Sequence, residues 1–124
     1  MAGTQWVQDE VLAKYPNADV RVYMIWLPVY GGDSPAAWDQ TLLDDPRVIH
    51  YWDGERLVGS WFYEHGSLDG EGTVYNAYWD RYIIYSPSAV WENDAMTENA
   101  LGTAFPIVAG TDSFLQNIDP FLNG

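Results

Sequence analysis

Cysteine is absent from this chain of 124 residues. Its absence excludes disulfides, thiolate nucleophiles, zinc ribbons and iron–sulfur clusters. It also means that cysteine usage says nothing about the redox state of the compartment. Any activity of the chain must therefore proceed without a thiol.

Basic residues are scarce. Five Lys and Arg stand against 18 Asp and Glu, which gives a formal net charge of −13. Such a charge repels the phosphate backbone of nucleic acids and anionic lipid surfaces. We therefore expect no nucleic-acid partner, and we interpret the acidity as a means of keeping an aromatic-rich chain in solution.

Long apolar runs are also missing. The longest nearly apolar run, Val22 to Tyr30, is far shorter than the roughly 20 residues that span a bilayer, and Met1 to Thr4 lack the basic start of a signal peptide. The sequence predicts a soluble chain without membrane insertion, in a compartment that stays unknown.

Catalytic and cofactor motifs are equally hard to find. No Gly-rich phosphate loop, nucleophile elbow or calcium loop occurs, and the acidic pairs at Asp44-Asp45 and Asp69 to Glu71 lack metal-ligand spacing. For His50 and His65 we predict a partly buried ring that hydrogen-bonds a backbone carbonyl or caps a helix end, rather than a catalytic role. We expect no cofactor and no metal, and nothing identifies an enzyme.

Hydrophobic and aromatic residues are abundant. Hydrophobic residues make up 48% of the chain, which contains seven Trp and nine Tyr. This composition supports a packed core, and the length suits one domain over residues 1–124. We predict a single α/β domain.

The first half predicts a helix, a buried strand and a second helix. Thr4 is predicted to cap a helix that runs to about Tyr15, with an apolar stripe formed by Val7, Val11, Leu12 and Tyr15. Val20 to Leu27 is apolar enough for a strand buried on both faces. Ser34-Pro35 predicts the start of a short helix through Leu43. This order favours a parallel sheet covered by helices.

The second half predicts two further helices and a hairpin. We expect Asp53 to cap a helix over roughly Glu55 to His65 in which Gly59 packs closely and Val58, Trp61, Phe62 and His65 point inward. We also expect a hairpin of Arg81–Tyr85 with Ala89–Trp91, irregular chain over Glu92 to Gly110, and a last helix capped by Asp112 and kinked or ended by Pro120. Arg47 to Trp52 fits either a short strand or an extended connection.

Several segments resemble a group of uncharacterised bacterial thioredoxin-like proteins. They are Val20 to Pro28, Asp45 to Val48, Tyr51 to Gly54, Tyr78 to Tyr82 and Gly102 to Pro106. The resemblance implies a thioredoxin-like fold, a small mixed sheet with a C-terminal hairpin and flanking helices. It carries no activity that transfers to this chain.

Two features of the thioredoxin pattern are missing. The first strand and its Cys-x-x-Cys turn should precede the first helix, and a proline should stand just before the hairpin strand, where Ala77-Tyr78-Trp79 has none. A sheet without its first strand has unpaired apolar edges. Either the true start lies upstream, or a partner chain donates a strand, or Arg47 to Trp52 fills the gap; we favour the first two.

Aromatic residues at predicted element ends are the candidate partner-binding residues, because Tyr and Trp dominate interface hot spots. The candidates, with two adjacent aspartates, are Tyr30, Trp38, Trp52, Asp53, Tyr78, Trp79 and Asp80. Asp53 and Asp80 are expected to cap a helix or to pair with Arg56 or Arg81.

The leading functional hypothesis is a redox-inactive thioredoxin-like module that binds a protein partner or a second copy of itself, as an accessory subunit of a larger assembly. The alternative hypothesis is an N-terminally truncated thiol-disulfide oxidoreductase-like protein whose Cys-x-x-Cys lies upstream of Met1. A cysteine pair encoded in frame before Met1 distinguishes the second from the first.

Overall fold

The computed structural model describes residues 2–28, 43–66, 71–74, 76–90 and 100–122. Helix α1 (Ala2–Val7) continues as a π-helical segment, Gln8–Leu12, and strands β1 (Val22–Trp26) and β2 (Val48–Trp52) follow. The remaining elements are helix α2 (Leu57–His65), strands β3 (Thr73–Val74), β4 (Ala77–Tyr78), β5 (Tyr82–Ile84) and β6 (Gly102–Ala104), a 3₁₀ turn at Ile107–Gly110 and helix α3 (Thr111–Leu122). The protein is a mixed α/β protein with small sheets.

The first helix starts earlier than predicted. It begins at Ala2, so Thr4 lies inside it, only 6% exposed, and is not its cap. The helix packs closely on the 3₁₀ turn, because a Cβ added at Gly3 would come within 2.7 Å of the Ile107 Cβ. Only glycine allows the helix to approach the 3₁₀ turn so closely.

β1 and β2 form a parallel pair in register from Val22 opposite Val48 to Trp26 opposite Trp52. Residues 48–52 therefore form a strand on one edge of β1, but among the described residues they do not bridge β1 to β5, as filling the gap would require. Among the described residues no third strand joins this pair. The predicted burial on both faces is wrong, because Tyr23 is 57% exposed.

The core lies between α1, α3 and one face of the β1–β2 pair. Its buried members are Val7, Val11, Leu12, Ala18, Leu43, Ile118 and Leu122, with Val22, Met24 and Val48 packed against them. The alternation along both strands places these three residues on the inner face. The predicted apolar stripe of α1 therefore does contact the core.

Arg47 connects α1 to the start of β2. Its guanidinium donates to the carbonyls of Leu12, Tyr15 and Ala18 and to both carboxylate oxygens of Asp45, over 2.8–2.9 Å. All five N–H groups of the side chain are thereby used. The Leu12 carbonyl stands at the end of the π-helical segment, and Arg47 gives it a donor there. The Tyr15 and Ala18 carbonyls also accept backbone N–H groups, from Ala18 and Val20.

The bidentate contact shifts the titration of both partners. The side-chain hydrogen bond from Arg47 lowers the pKa of Asp45 from 3.8 to about 2, and the same bond raises the pKa of Arg47. The two side chains are 15% and 17% exposed. The Asp45 carboxylate thus contributes stability that is present above its ordinary pKa and is lost as the pH falls towards 2.

We expect the stabilising effect of Asp45 to disappear in acid. The free energy of unfolding of the wild type should exceed that of Asp45→Asn by about 1 kcal/mol near neutral pH, after allowance for solvent screening, and the gap should close only as the pH falls to about 2. Urea unfolding of both proteins across this range measures it. A difference that stays constant with pH would contradict the assignment.

Helix α2 packs against β4 through Gly59. A Cβ at Gly59 would lie 2.8 Å from the Tyr78 carbonyl oxygen and 3.1 Å from the Ala77 Cβ, so the predicted close packing is confirmed. Fewer residues of α2 point inward than predicted, since Val58 is 40% exposed and His65 is also exposed. Trp61 and Phe62 are half-buried, as the prediction requires.

The predicted hairpin of residues 81–85 with residues 89–91 does not form within the described part of the chain, which leaves out Trp91. The turn at residues 86–89 exists, with the Ala89 N–H donating to the Ser86 carbonyl, but β5 pairs antiparallel with β6 instead. Residues 102–104 therefore form a strand within a segment that was expected to be irregular, and the Phe105–Pro106 bond after it is cis. The Thr103 hydroxyl, which donates to the Tyr82 carbonyl, strengthens the β5–β6 pair.

The C-terminal helix is close to prediction. α3 starts at Thr111, which puts Asp112 in its first turn rather than at its cap, and Pro120 lies within the helix without ending it before Leu122. Phe114 makes edge contacts with Trp6 and Tyr82. The Tyr82 hydroxyl donates to the Gly110 carbonyl, and burial raises the pKa of Tyr82.

Two expectations concern the remaining chain. The predicted helix from Ser34 to Leu43 lies outside the described residues, apart from Leu43 itself. Within the described ranges, no helix has the length and apolar character needed to cross a bilayer.

Candidate functional site

The seven candidate residues fall into three sets. Tyr30 and Trp38 lie outside the described residues. Trp52 and Asp53 end β2, whereas Tyr78, Trp79 and Asp80 end β4. Helix α2 lies between the last two sets, because it begins just after Asp53 and packs against Tyr78 through Gly59.

Asp53 has a structural function at the start of α2. Its carboxylate accepts the N–H groups of Leu57 and Val58, each at 2.8 Å, while its own N–H donates to the Trp26 carbonyl. The predicted cap is therefore confirmed. Since the residue is 9% exposed, it has little surface to offer a partner.

Trp52 stands opposite Trp26 at the carboxyl end of the parallel pair. It is half-buried, and its indole nitrogen would lie 2.9 Å from a Cβ added at Gly54. Nearby, Arg56 donates to the Pro28 carbonyl over 3.4 Å and adopts a left-handed φ of 58°. The turn between β2 and α2 thus packs against the Trp52 ring and the end of β1.

Tyr78 is mostly a packing residue. It is 7% exposed, and its ring lies against Tyr63 and beneath the Arg81 guanidinium, 4.8 Å from the ring centroid. Arg81 in turn donates to the Thr103 hydroxyl and to the Glu71 carbonyl. Arg81 therefore joins β4 to β6 through a cation–π contact and hydrogen bonds.

Trp79 and Asp80 remain accessible in part. Trp79 is half-buried against Phe105, with ring centroids 5.9 Å apart, and its backbone N–H donates to the Gly72 carbonyl. Asp80 is half-buried with a left-handed φ of 49°. A role of these residues in partner binding stays a prediction.

His50 lies beside Trp26 on the inner face of the strand pair. Trp26 Nε1 donates to His50 Nδ1 over 2.9 Å, and His50 Nε2 contacts the Leu43 carbonyl at 3.2 Å. His65 Nδ1 contacts the Trp61 carbonyl at 3.1 Å. The predicted contact with a backbone carbonyl is confirmed for both histidines, but only His50 is partly buried, because His65 is exposed.

The outer face of the β1–β2 pair is the largest departure from the sequence interpretation. Tyr23 and Ile25 of β1 stand opposite Ile49 and Tyr51 of β2. Tyr23 is 57%, Tyr51 49% and Ile49 39% exposed, and Ile25 is half-buried. We call these four side chains the outer face.

The outer face was not found from sequence because an unbroken apolar run is also the pattern of a strand buried on both sides. The signal that identifies it is register. Once β2 is paired with β1, the alternate residues of both strands must share one face. Two aromatic rings and two isoleucines then form one apolar surface.

The described residues offer little to a metal. Within them, no three His, Asp or Glu side chains come close enough to hold an ion. The arrangement instead suits recognition of a protein surface, because aromatic rings provide large contact areas at low entropic cost.

Comparison of the chain with protein-family models, curated proteins and solved structures finds no match.

Proposed function

We propose that this chain is a redox-inactive thioredoxin-like module that works by binding another protein, as an accessory subunit of a larger assembly. The absence of cysteine removes the thiol chemistry of that fold class. The proposal depends on one observation, the exposure of the outer face.

A parallel strand pair is normally covered on both sides, because its crossover connections place helices on the faces. Here the core covers the inner face through Val22, Met24 and Val48, whereas Tyr23 and Tyr51 on the opposite side are about half exposed. An apolar patch of this kind marks an interaction site more often than chance. A partner that covers it removes the two rings and Ile49 from water.

The two tyrosines are the strongest anchors. Each ring combines a large apolar area with a hydroxyl that can stay hydrated at the rim of an interface. They stand diagonally across the strand pair, Tyr23 near its start and Tyr51 near its end. Such a pair of aromatic anchors gives a partner both affinity and a fixed orientation.

A protein partner is favoured over a second copy of the chain. Each copy brings a formal charge of −13, so self-association has to overcome strong like-charge repulsion at low salt. Light scattering coupled to size-exclusion chromatography, at low and high salt, separates the two. A monomer in both conditions supports a heterologous partner.

The proposal is tested by co-purification from the source cells under mild conditions, followed by reconstitution of the complex from purified proteins. A protein recovered with the tagged chain is identified, purified and titrated against the wild type and the Tyr23→Ser/Tyr51→Ser variant. We expect the double variant to bind at least about tenfold more weakly, since each aromatic anchor contributes a large share of binding energy.

A matched control replaces exposed apolar residues elsewhere. Leu101 and Val108 are 38% and 47% exposed, and neither belongs to the outer face. The Leu101→Ser/Val108→Ser variant should bind like the wild type. Recovery of the chain only as a free monomer, or equal affinities for both double variants, would refute the proposal.

A further inference from the structure

The contact between Trp26 and His50 fixes the proton on the histidine. An indole nitrogen can only donate, so His50 Nδ1, 2.9 Å from Trp26 Nε1, must be the unprotonated acceptor. The proton of the neutral ring then lies on Nε2, where the Leu43 carbonyl accepts it at 3.2 Å. Both ring nitrogens are thus used by a neutral imidazole.

A second proton on His50 conflicts with this arrangement. It would enter at Nδ1 and put an N–H group directly opposite the indole N–H of Trp26, so that two donors face each other. The bond to Leu43 survives, but the bond to Trp26 does not. The planes of the two rings differ by only 19°, and the ring centroids lie 6.1 Å apart. The rings then have to move apart.

We propose that the Trp26–His50 hydrogen bond is a proton-sensitive contact that breaks when His50 becomes protonated and so loosens the carboxyl end of the β1–β2 pair. Trp26 is the last residue of β1, and its carbonyl accepts the N–H of Asp53, which caps α2. Loosening at Trp26 therefore reaches the start of that helix. This inference is independent of the proposed function.

Among the described residues, three charged side chains that neighbour this contact along the chain have partners of their own. Asp45 is bound to Arg47, the carboxylate of Asp53 accepts two N–H groups of α2, and Arg56 donates to the Pro28 carbonyl. From β1, the group that faces His50 is the indole of Trp26, which does not titrate. Asp44, next to Leu43, is exposed.

The other histidine is an internal control of opposite sign. His65 lies in the last turn of α2, is exposed, and stacks on Trp61 with centroids 5.1 Å apart. A positive charge there is favoured by the helix dipole and by the indole face. Protonation should strengthen this site while it weakens the one at His50.

The chain contains just two histidines, so mild acidification can be assigned cleanly. Melting temperatures are measured at about pH 7.5 and about pH 5.5 for the wild type, Trp26→Phe and His65→Gln. Trp26→Phe lacks the indole donor, so its His50 takes up a proton without conflict. On acidification, the melting temperature of the wild type should fall by roughly 3–5 °C more than that of Trp26→Phe.

His65→Gln keeps the contact and should lose at least as much thermal stability on acidification as the wild type. Equal acid-induced changes in the wild type and Trp26→Phe would overturn the inference. A second measurement covers a poorly folded variant: in the wild type, the indole N–H resonance of Trp26 should shift together with the ring protons of His50 during a pH titration. An indole signal that does not move while His50 titrates, or a His50 that stays neutral until the protein unfolds, would also overturn it.

Discussion

Replacing Arg47 by alanine is expected to lower the free energy of unfolding by about 3–5 kcal/mol. The change removes five hydrogen bonds, three to backbone carbonyls and two to a partly buried carboxylate, which also loses its charged partner. The carbonyls belong to Leu12, Tyr15 and Ala18, and the carboxylate to Asp45. Urea unfolding followed by circular dichroism measures the change. A loss of this size is a large fraction of the stability of a small domain.

Two further variants isolate the geometry of the contact. Arg47→Lys keeps the charge but has three donors on one atom instead of a planar fork, so it should recover only part of the loss. Arg21→Ala removes an exposed arginine one residue before β1 and should change stability by less than about 0.5 kcal/mol. If Arg47→Ala were as mild as Arg21→Ala, the guanidinium would not be what holds α1 to β2.

Replacing Asp53 by alanine should lower the free energy of unfolding by about 2 kcal/mol, at the upper end for a helix cap. The carboxylate accepts two N–H groups at 2.8 Å from inside a buried site, and its charge also favours the positive end of the α2 dipole. Thermal and urea unfolding measure the loss.

The controls for Asp53 separate the cap from the charge. Asp53→Asn keeps one acceptor oxygen and should lie between alanine and the wild type. Asp19→Ala removes an exposed carboxylate outside the helices and should be nearly neutral. An Asp53→Ala protein as stable as Asp19→Ala would show that solvent replaces the cap.

Helix positions were readable from local sequence signals. The stripe Val7, Val11 and Leu12 predicts α1, and the pattern of Asp53 followed by an apolar run with Gly59 predicts α2 and its close packing. These signals work because capping and amphipathic spacing depend on residues within a few positions. The same holds for α3.

Strand partners were not readable in this way. β5 pairs with residues 102–104 rather than with the nearer run after the turn at Ser86, and β2 was left between a strand and an extended connection. Pairing depends on residues distant in sequence, and a two- or three-residue strand leaves almost no periodic pattern. Local turn chemistry predicted the turn at Ser86 correctly, but it did not predict which strand pairs with β5.

The candidate site shows the same division. Asp53 was predicted as a cap and is one, whereas the outer face needed the register of Tyr23 with Ile49 and of Ile25 with Tyr51. Arg47 gave no signal at all, because a single arginine before an apolar run is ordinary in sequence. Its importance comes from three carbonyls that lie about 30 positions earlier in the chain.

The contacts of Arg47 make one part of the molecule more resistant to local unfolding than the rest. α1 with its π-helical continuation, β1 and β2 share a core, a strand pair and this guanidinium, so we expect the amide protons bonded within this unit to exchange mainly when the whole unit opens. Among the described residues, the two-residue strand β3 pairs only with β4, whereas β4 is also buried against α2. We therefore expect fluctuations of low energy at β3, while the half of the molecule that carries the outer face stays rigid.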